Sequence, residues 1–288
     1  MTAMILDGRA LAKTLREELR ADIQAFVQTT GVTPSLAVVK IAGDPASERY
    51  TRTIRKGCED IGIVFYDHTL PPDTTQAALE ETLHALSFDR AVNGILLHLP
   101  LPPGFDSNRA IAQIDPHKDV DGVHPYNAGL LAMGQPTMVP NTPAGGMELL
   151  LRNHILIKGQ RATVVGRSVV VGKPMALLLL QEHATVTIAH SRTKDLASVV
   201  READIVVAAT GKPGLITADM VRPGAVVVDF GVNVLGDGKV VGDVDFAGVA
   251  EIASAITPVP GGTGPVTNIM LLRNVLRAAR LQGVGRGE

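Results

Sequence analysis

The sequence predicts an α/β protein of two α/β domains, each built on a mostly parallel sheet covered by helices. Three observations carry that reading. Strand-like and helix-like segments alternate in two separate runs. A stretch rich in proline, glycine and asparagine, "DPHKDVDGVHPYNAGLLAMGQPTMVPNTPAGG" from Asp115, stands between them. The chain has 288 residues, 45% of them hydrophobic, which is enough apolar material for two cores.

The first run opens with a helix in which Leu11, Leu15, Leu19 and Ile23 recur every four residues, with Asp7 placed to cap it. "SLAVVKIAG" reads as a strand ending at glycine. The turn "GDPAS" then leads into the helix "SERYTRTIRKGCEDIGI", beginning at Ser47. "VFYDHTL" is a short strand, "DTTQAALEETLHALS" a helix with an Asp/Thr start, and "VNGILLHLPLP" a strand running into a proline-punctuated loop.

After the junction a helix starts near Thr142. "RATVVGRS" is a strand ending in a glycine turn and "VGKPMALLLLQ" a helix. The pattern continues with "ATVTIAH" (strand), "DLASVVREA" (helix), "DIVVAAT" (strand) and "AVVVDFG" (strand). "TPVPGGTGPVT" reads as a stiff loop. It precedes a last helix, "TNIMLLRNVLRAARLQ", whose apolar stripe is Ile269, Leu272, Val275 and Leu276. The terminal "VGRGE" reads as loose.

Composition narrows the function classes. Charged residues are 19% of the chain and the formal net charge is -2, so neither nucleic acid nor a membrane surface is an expected partner. There is no Trp and aromatic content is 3%, which argues against stacking platforms for single strands. The single Cys58 excludes an internal disulfide and a cysteine-built metal site. No apolar run is long enough to span a bilayer and no leader pattern opens the chain, so a cytoplasmic protein is expected.

Several motifs sit at strand ends, where ligands bind in open α/β sheets. In "VVGRSVVVGKP" a strand stops at Gly166 and a helix begins near Gly172, leaving Gly166, Arg167 and Ser168 beside a helix N-terminus suited to an anion. The spacing departs from G-x-G-x-x-G, and a plain structural turn accounts for it about as well on its own. "AHSRT" ends the next strand where a dinucleotide ribose would lie. His190, Ser191 and Arg192 offer a hydroxyl and a cation in place of an acid, which suits the 2′-phosphate of NADP better than the free hydroxyl of NAD. Thr210 and Gly211 of "ATGKPG" and Val232 of "DFGVN" complete the expected cofactor contacts. In "PHKDVDGVHPYN", Asp119 and Asp121 could be acid/base groups or acceptors for a heterocycle; turn and capping roles are the plainer reading. His117 and His124 lack regular ligand spacing, and no metal is expected.

Taken together, "GDPASERY", "GILLHLPLP", "HKDVDGVHPYN", "NTPAG", "VVGRSVVVGKPM", "HSRT", "GKPG", "VVVDFGVN", "GDVDF" and "TPVPGGTGPVT" resemble the methylenetetrahydrofolate dehydrogenase/cyclohydrolase family of the bacterial FolD type, in order and spacing, over nearly the whole chain. The resemblance implies two α/β domains flanking a cleft: a folate-binding catalytic domain of residues 1–139 plus 269–288 and a Rossmann-type NADP-binding domain of 140–268. It implies a homodimer acting on one-carbon derivatives of tetrahydrofolate. The reactions are NADP-dependent oxidation of 5,10-methylenetetrahydrofolate to the 5,10-methenyl form, then hydrolysis to 10-formyltetrahydrofolate. By position, Tyr50 resembles the tyrosine that stacks on the aminobenzoyl ring and Asp121 the aspartate that holds the pterin. Arg167, Ser168 and Ser191 resemble the NADP-phosphate contacts. Ile54, Leu99, Pro100, Gly262 and Pro265 fall on the folate side.

Three positions depart from the family pattern. Ile54 stands where Tyr-x-x-x-Lys places the acid/base lysine of hydrolysis. Lys56 lies about 200° further round the helix and cannot replace it on that face. His98 stands where relatives have glutamine, and Ala144 where they have a basic residue. Oxidation asks mainly for alignment of folate and cofactor, whereas hydrolysis asks for a titrating group. The expectation is therefore that oxidation persists and hydrolysis is weak or lost. An alternative gives hydrolysis to His98, whose imidazole titrates near neutrality, beside Tyr50 and Asp121 as the catalytic set. A second class is a catalytically silent binder of NADP or folate, which would bind cofactor in a thermal-shift assay yet turn nothing over.

Overall fold

The computed structural model describes residues 2–284, so the loose end expected for "VGRGE" lies outside the described residues apart from Val284. In chain order the elements are β1 (Met4–Ile5), α1 (Gly8–Thr30), β2 (Ser35–Ile41), α2 (Pro45–Ile61), β3 (Val64–Leu70), α3 (Gln76–Phe88), β4 (Gly94–Leu97), α4 (Ser107–Ile111), α5 (Pro125–Ala132) and α6 (Asn141–Arg152). There follow β5 (Arg161–Val165), α7 (Gly172–Gln181), β6 (Thr185–Ala189), α8 (Leu196–Arg201), β7 (Ile205–Ala208), β8 (Val226–Asp229), β9 (Asn233–Val234), β10 (Val240–Val241), α9 (Phe246–Ala250), β11 (Ala255–Ile256) and α10 (Thr263–Val284). They form two compact units, one of residues up to 14 with 140–267, the other of 15–139 with the residues from 268 onward.

In the second of these units β2 is the centre of a parallel sheet ordered β3-β2-β4. All seven residues of β2 are buried, as expected of a strand covered on both faces. Side chains alternate along a strand. Ala37, Val39, Ile95 and Leu97 pack on one face against Leu79, Leu83 and Leu86 of α3 and Ala110 and Ile111 of α4. The opposite face meets α2. That helix is set by Asp44, whose carboxylate accepts from the amides of Ala46 and Ser47, and it ends at Gly62 with φ +84°. Its inward stripe is Ser47, Thr51, Ile54, Cys58 and Ile61, at helical spacing. α10 closes the unit: the Asn274 amide donates to the carbonyls of Val120 and Val139, both at 3.0 Å.

The other unit holds a six-stranded sheet in the order β1-β11-β8-β7-β5-β6, parallel at every pairing. β7 and β8 are buried throughout, and their Val-rich sequences are what such strands require. A small antiparallel pair, β9 with β10, follows β8.

The strands and helices of both runs form where their patterning predicts, and α6 starts within a residue of the expected Thr142. Three differences have physical causes. Residues 2–14, expected with the folate domain, belong instead with 140–267, because Met4 and Ile5 pair in register with Ala255 and Ile256. The helix after "TPVPGG" begins at Thr263, not past Thr267, since Pro265 sits in the first turn, where its missing N–H costs nothing. The junction also contains α5, started by Pro125 and capped by the His124 ring.

Candidate active site

In the unit of residues 15–139 and 268 onward, Tyr50 projects from α2 and His98 follows the last residue of β4. Their rings lie 5.2 Å apart between centroids at 81°. The backbone of His98 extends the sheet by donating to the Val39 carbonyl at 2.9 Å. Since Val39 and Leu97 face α3, the next residues on each strand, Lys40 and His98, face α2. The Nε2 atom of His98 is buried and has no hydrogen-bond partner among the described residues. Burial holds this imidazole below its ordinary range. The charge of Lys40 lowers it further, while Asp44 and Glu48 pull the other way. Burial pushes the Tyr50 phenol up, and the negative charge of Asp121 adds to that, which puts Asp121 within electrostatic reach of Tyr50. Of the three residues expected to act together, Tyr50 and His98 are in ring contact, and Asp121 is related to them through its charge on Tyr50.

The substrate-side residues separate more. Ile54 is buried at 3% exposure in the inward stripe of α2. The peptide between Leu99 and Pro100 is cis; Leu99 packs toward the α3 core and Pro100 is exposed. Gly262 is buried and a side chain there would press on the Pro258 carbonyl at 2.6 Å, so the loop closes only with glycine. Pro265 lies in the first turn of α10.

The "KDVDG" turn decides between the two readings of Asp119 in favour of the plainer one. Asp119 is buried and spent on structure: it accepts from the His124 amide at 2.7 Å and the Asn127 side chain at 3.0 Å. Lys118 turns its ammonium onto the carbonyls of Leu86 and Asp89. Asp121, the other acid of the motif, is the one whose charge reaches Tyr50. His117 pairs with Asp115, and the His124 ring caps α5. Among the described residues no cluster of His, Cys, Asp and Glu could hold a metal ion.

In the other unit a cavity of about 480 Å³ opens at the carboxyl ends of β5, β6 and β7. Gly166, Arg167, Ser168, His190, Ser191 and Thr210 line it, as the motifs predict. Gly166 has φ +136°, and a Cβ there would run into the Ala209 carbonyl, so the strand end has room only for glycine. Ser168 accepts from the amides of Val171 and Gly172 at the start of α7. The remaining expected contacts do not line the cavity. Arg192 is exposed, with its amide on the His190 ring; Val232 is 67% exposed; the Gly211 amide is held by Asp243. A glycine floor, a cation, hydroxyls and a cavity of nucleotide dimensions fit a phosphorylated dinucleotide.

Sequence reasoning passed over two groups. Lys40, next to last in a valine-rich strand, is 2% exposed, and its ammonium lies 3.4 Å from Glu48 and 3.3 Å from Asp67. Asp229 and Asp243 are both buried and tie three strand-end loops together. Asp229 accepts from the amides of Gly231, Asp243 and Val244. Asp243 accepts from those of Thr210 and Gly211 and from the Asn233 side chain. The quoted "DFGVN" and "GDVDF" contain both residues, but their pairing is not visible in spacing.

A parallel six-stranded sheet with a polar, glycine-floored cavity at its strand ends is the construction of a dinucleotide-binding domain. The family described as "Tetrahydrofolate dehydrogenase/cyclohydrolase, catalytic domain" matches residues 6–121, and its "NAD(P)-binding domain" matches 140–283. The chain belongs to the tetrahydrofolate dehydrogenase/cyclohydrolase family. It is 84% identical over 286 residues to the Bifunctional protein FolD of Roseiflexus sp. (strain RS-1), covering 99% of each chain. It is 59% identical to that of Chloroflexus aurantiacus, with 97% of this chain and 98% of the relative covered. The crystal structure of the bifunctional FolD enzyme from Campylobacter jejuni superposes with a TM-score of 0.95 at 42% identity, over 97% of this chain and 99% of that one. The expectation that hydrolysis is weak or lost finds no support here. The relatives carry the bifunctional name, which favours the alternative in which both reactions persist.

Proposed function

We propose that this chain oxidises 5,10-methylenetetrahydrofolate to 5,10-methenyltetrahydrofolate with NADP and hydrolyses the product to 10-formyltetrahydrofolate, with His98 as the base of the second step. The buried, unpartnered Nε2 of His98 beside Tyr50 carries the reading. In the oxidation the pterin nitrogens stabilise the developing cation, and the protein's part is alignment. Tyr50 offers its ring to the folate's aminobenzoyl group and Asp121 an acceptor to the pterin. NADP, when bound, supplies the hydride acceptor. Gly166, Arg167, Ser168 and Ser191 are the residues that would hold it, with Arg167 toward the 2′-phosphate.

In the hydrolysis a water adds to the amidinium carbon and its proton passes to Nε2 of His98. As the carbon–N5 bond breaks, the imidazolium returns its proton to N5 and the adduct's hydroxyl loses its own to solvent, which leaves the formyl carbonyl on N10. A neutral imidazole is needed for the first transfer, and burial of His98 favours that form. The reading extends to a cytoplasmic homodimer; among the described residues no helix is long and apolar enough to cross a membrane.

One assay tests it. Purified protein is given methylenetetrahydrofolate and NADP, and NADPH and methenyl product are followed together. NADPH formation with methenyl product consumed faster than its spontaneous hydrolysis is expected. Accumulating methenyl product would remove the second activity, and absence of NADPH would remove the first.

A further inference from the structure

We propose that Lys40 is a positioning residue for hydrolysis: reaching the face of β2 under α2, it holds the neighbouring imidazole of His98 uncharged, with Glu48 as the opposing charge that limits it. The proposal rests on His98 being the base, as argued above. A lysine that is 2% exposed in the central strand of a sheet is an unusual occupant, since burying an ammonium is costly without paired carboxylates. It has two such partners. Asp67 on β3 lies 3.3 Å away, and Glu48 on the first turn of α2 lies 3.4 Å away.

Asp67 is already served from outside by Arg55 at 2.6 Å and by the Thr69 hydroxyl at 2.6 Å. Strand register sends Lys40 and His98 to the same face of adjacent strands. The groups facing the imidazole are then Lys40 from β2, Asp44 from the turn before α2, and Glu48 and Tyr50 from α2. Among the charges, one cation opposes two acids. Asp44 is committed to capping α2 through the amides of Ala46 and Ser47. Removing Lys40 leaves a negative surround that favours imidazolium, whereas neutralising Glu48 does the reverse.

The test is a pair of substitutions with opposite expected signs, Lys40→Met and Glu48→Gln, read two ways. The first readout is the His98 imidazole titration by NMR, assigned by loss of its signal in His98→Gln. The second is the pH profile of methenyltetrahydrofolate hydrolysis. Lys40→Met is expected to move the His98 midpoint up by roughly one pH unit, and Glu48→Gln to move it down by a smaller amount. The acid limb of hydrolysis should follow each. Lys40→Arg, which keeps the charge, should restore the parental midpoint.

Should Lys40→Met fail to fold, Lys40→Gln takes its place, removing the charge while keeping a polar group for Asp67 and Glu48, and Glu48→Gln, at a residue 42% exposed, supplies the opposite sign. Unmoved midpoints, or shifts of the same sign, would overturn the role of Lys40. Opposite NMR shifts with a hydrolysis profile that ignores them would leave Lys40 as the group that sets His98 and would instead remove His98 as the base.

Discussion

The rings of Tyr50 and His98 meet nearly at right angles, 5.2 Å between centroids, with the buried Nε2 of His98 left free of protein partners among the described residues. A histidine built only to fill space beside a helix would be expected to spend that nitrogen on a neighbour. His98→Gln keeps polarity and size but cannot take up a proton. It should lower the rate of hydrolysis by about 10²-fold while NADPH formation stays near the parental rate. Parallel assays of the two reactions check this, and a variant with unchanged hydrolysis would refute the role.

The same imidazole sets a pH dependence. Its folded-state value lies below the ordinary 6.5, from burial first and then the charge of Lys40. A base held low stays neutral at and below neutrality, so hydrolysis should hold its rate as pH falls from 8 to about 6.5 and drop only below that. For stability the sign matches: a depressed histidine contributes stability above its unfolded value and loses it as pH falls through the folded one. Rate profiles at constant ionic strength supply the check.

On the cofactor side, Arg167 and Lys212 are the cations lining the cavity, Arg167 just beyond the end of β5, whereas Arg192 lies outside it. Arg167→Ala is expected to raise the KM for NADP about tenfold, equivalent to ~1.4 kcal/mol, with little change for NAD. Arg192→Ala should have a smaller effect. If neither substitution alters the NADP-to-NAD ratio, the 2′-phosphate is recognised by other groups.

Gly166 gives a backbone test. Alanine there must adopt φ near +136° and press its Cβ on the Ala209 carbonyl. Strain of this kind costs about 1–3 kcal/mol before the clash is counted. Gly166→Ala should therefore lower Tm and abolish the thermal shift on adding NADP. A variant that still shows the full shift would place the cofactor elsewhere.

Asp229 links pH to stability with the opposite sign from His98. Burial lifts its carboxyl from 3.8 to about 6, against the pull of three amides that favour the ionised form. Between those values the folded chain holds a proton that the unfolded chain has released, so stability falls as pH rises. The loss reaches about 3 kcal/mol once both states are ionised. Asp229→Asn cannot ionise, so the parent should lose stability relative to this variant as pH is raised from 4 to 7. Denaturant melts across that range measure it.

Most of the fold was legible because its signals are local. The four-residue recurrence from Leu11 to Ile23 and the valine runs of β7 and β8 each need one window of sequence. What escaped needed partners far along the chain. β1 is two residues long and exists only because β11, some 250 residues on, offers it an edge. Lys40 carries no local signal of its burial in "SLAVVKIAG", for its acids, Glu48 and Asp67, lie on α2 and β3. The site was legible where a motif ends a strand, as at Gly166 and His190. It stayed open at Asp119, because two aspartates in one turn look alike until the His124 amide is seen to take one of them.

The pairing of β1 with β11 also bears on how this chain can be cut. The family's nucleotide-binding portion spans 140–283, which suggests an autonomous module to anyone cloning it. Expressed that way it would lack Met4 and Ile5 and bare the Ser254 and Ile256 carbonyls that now accept from Met4 and Leu6. An open parallel edge of Ala255 and Ile256 is a template for recruiting foreign strands. The excised fragment should therefore clump unless the first fourteen residues are grafted back onto it, so in this protein a dozen leading residues act as the hem of a sheet encoded at the other end of the gene.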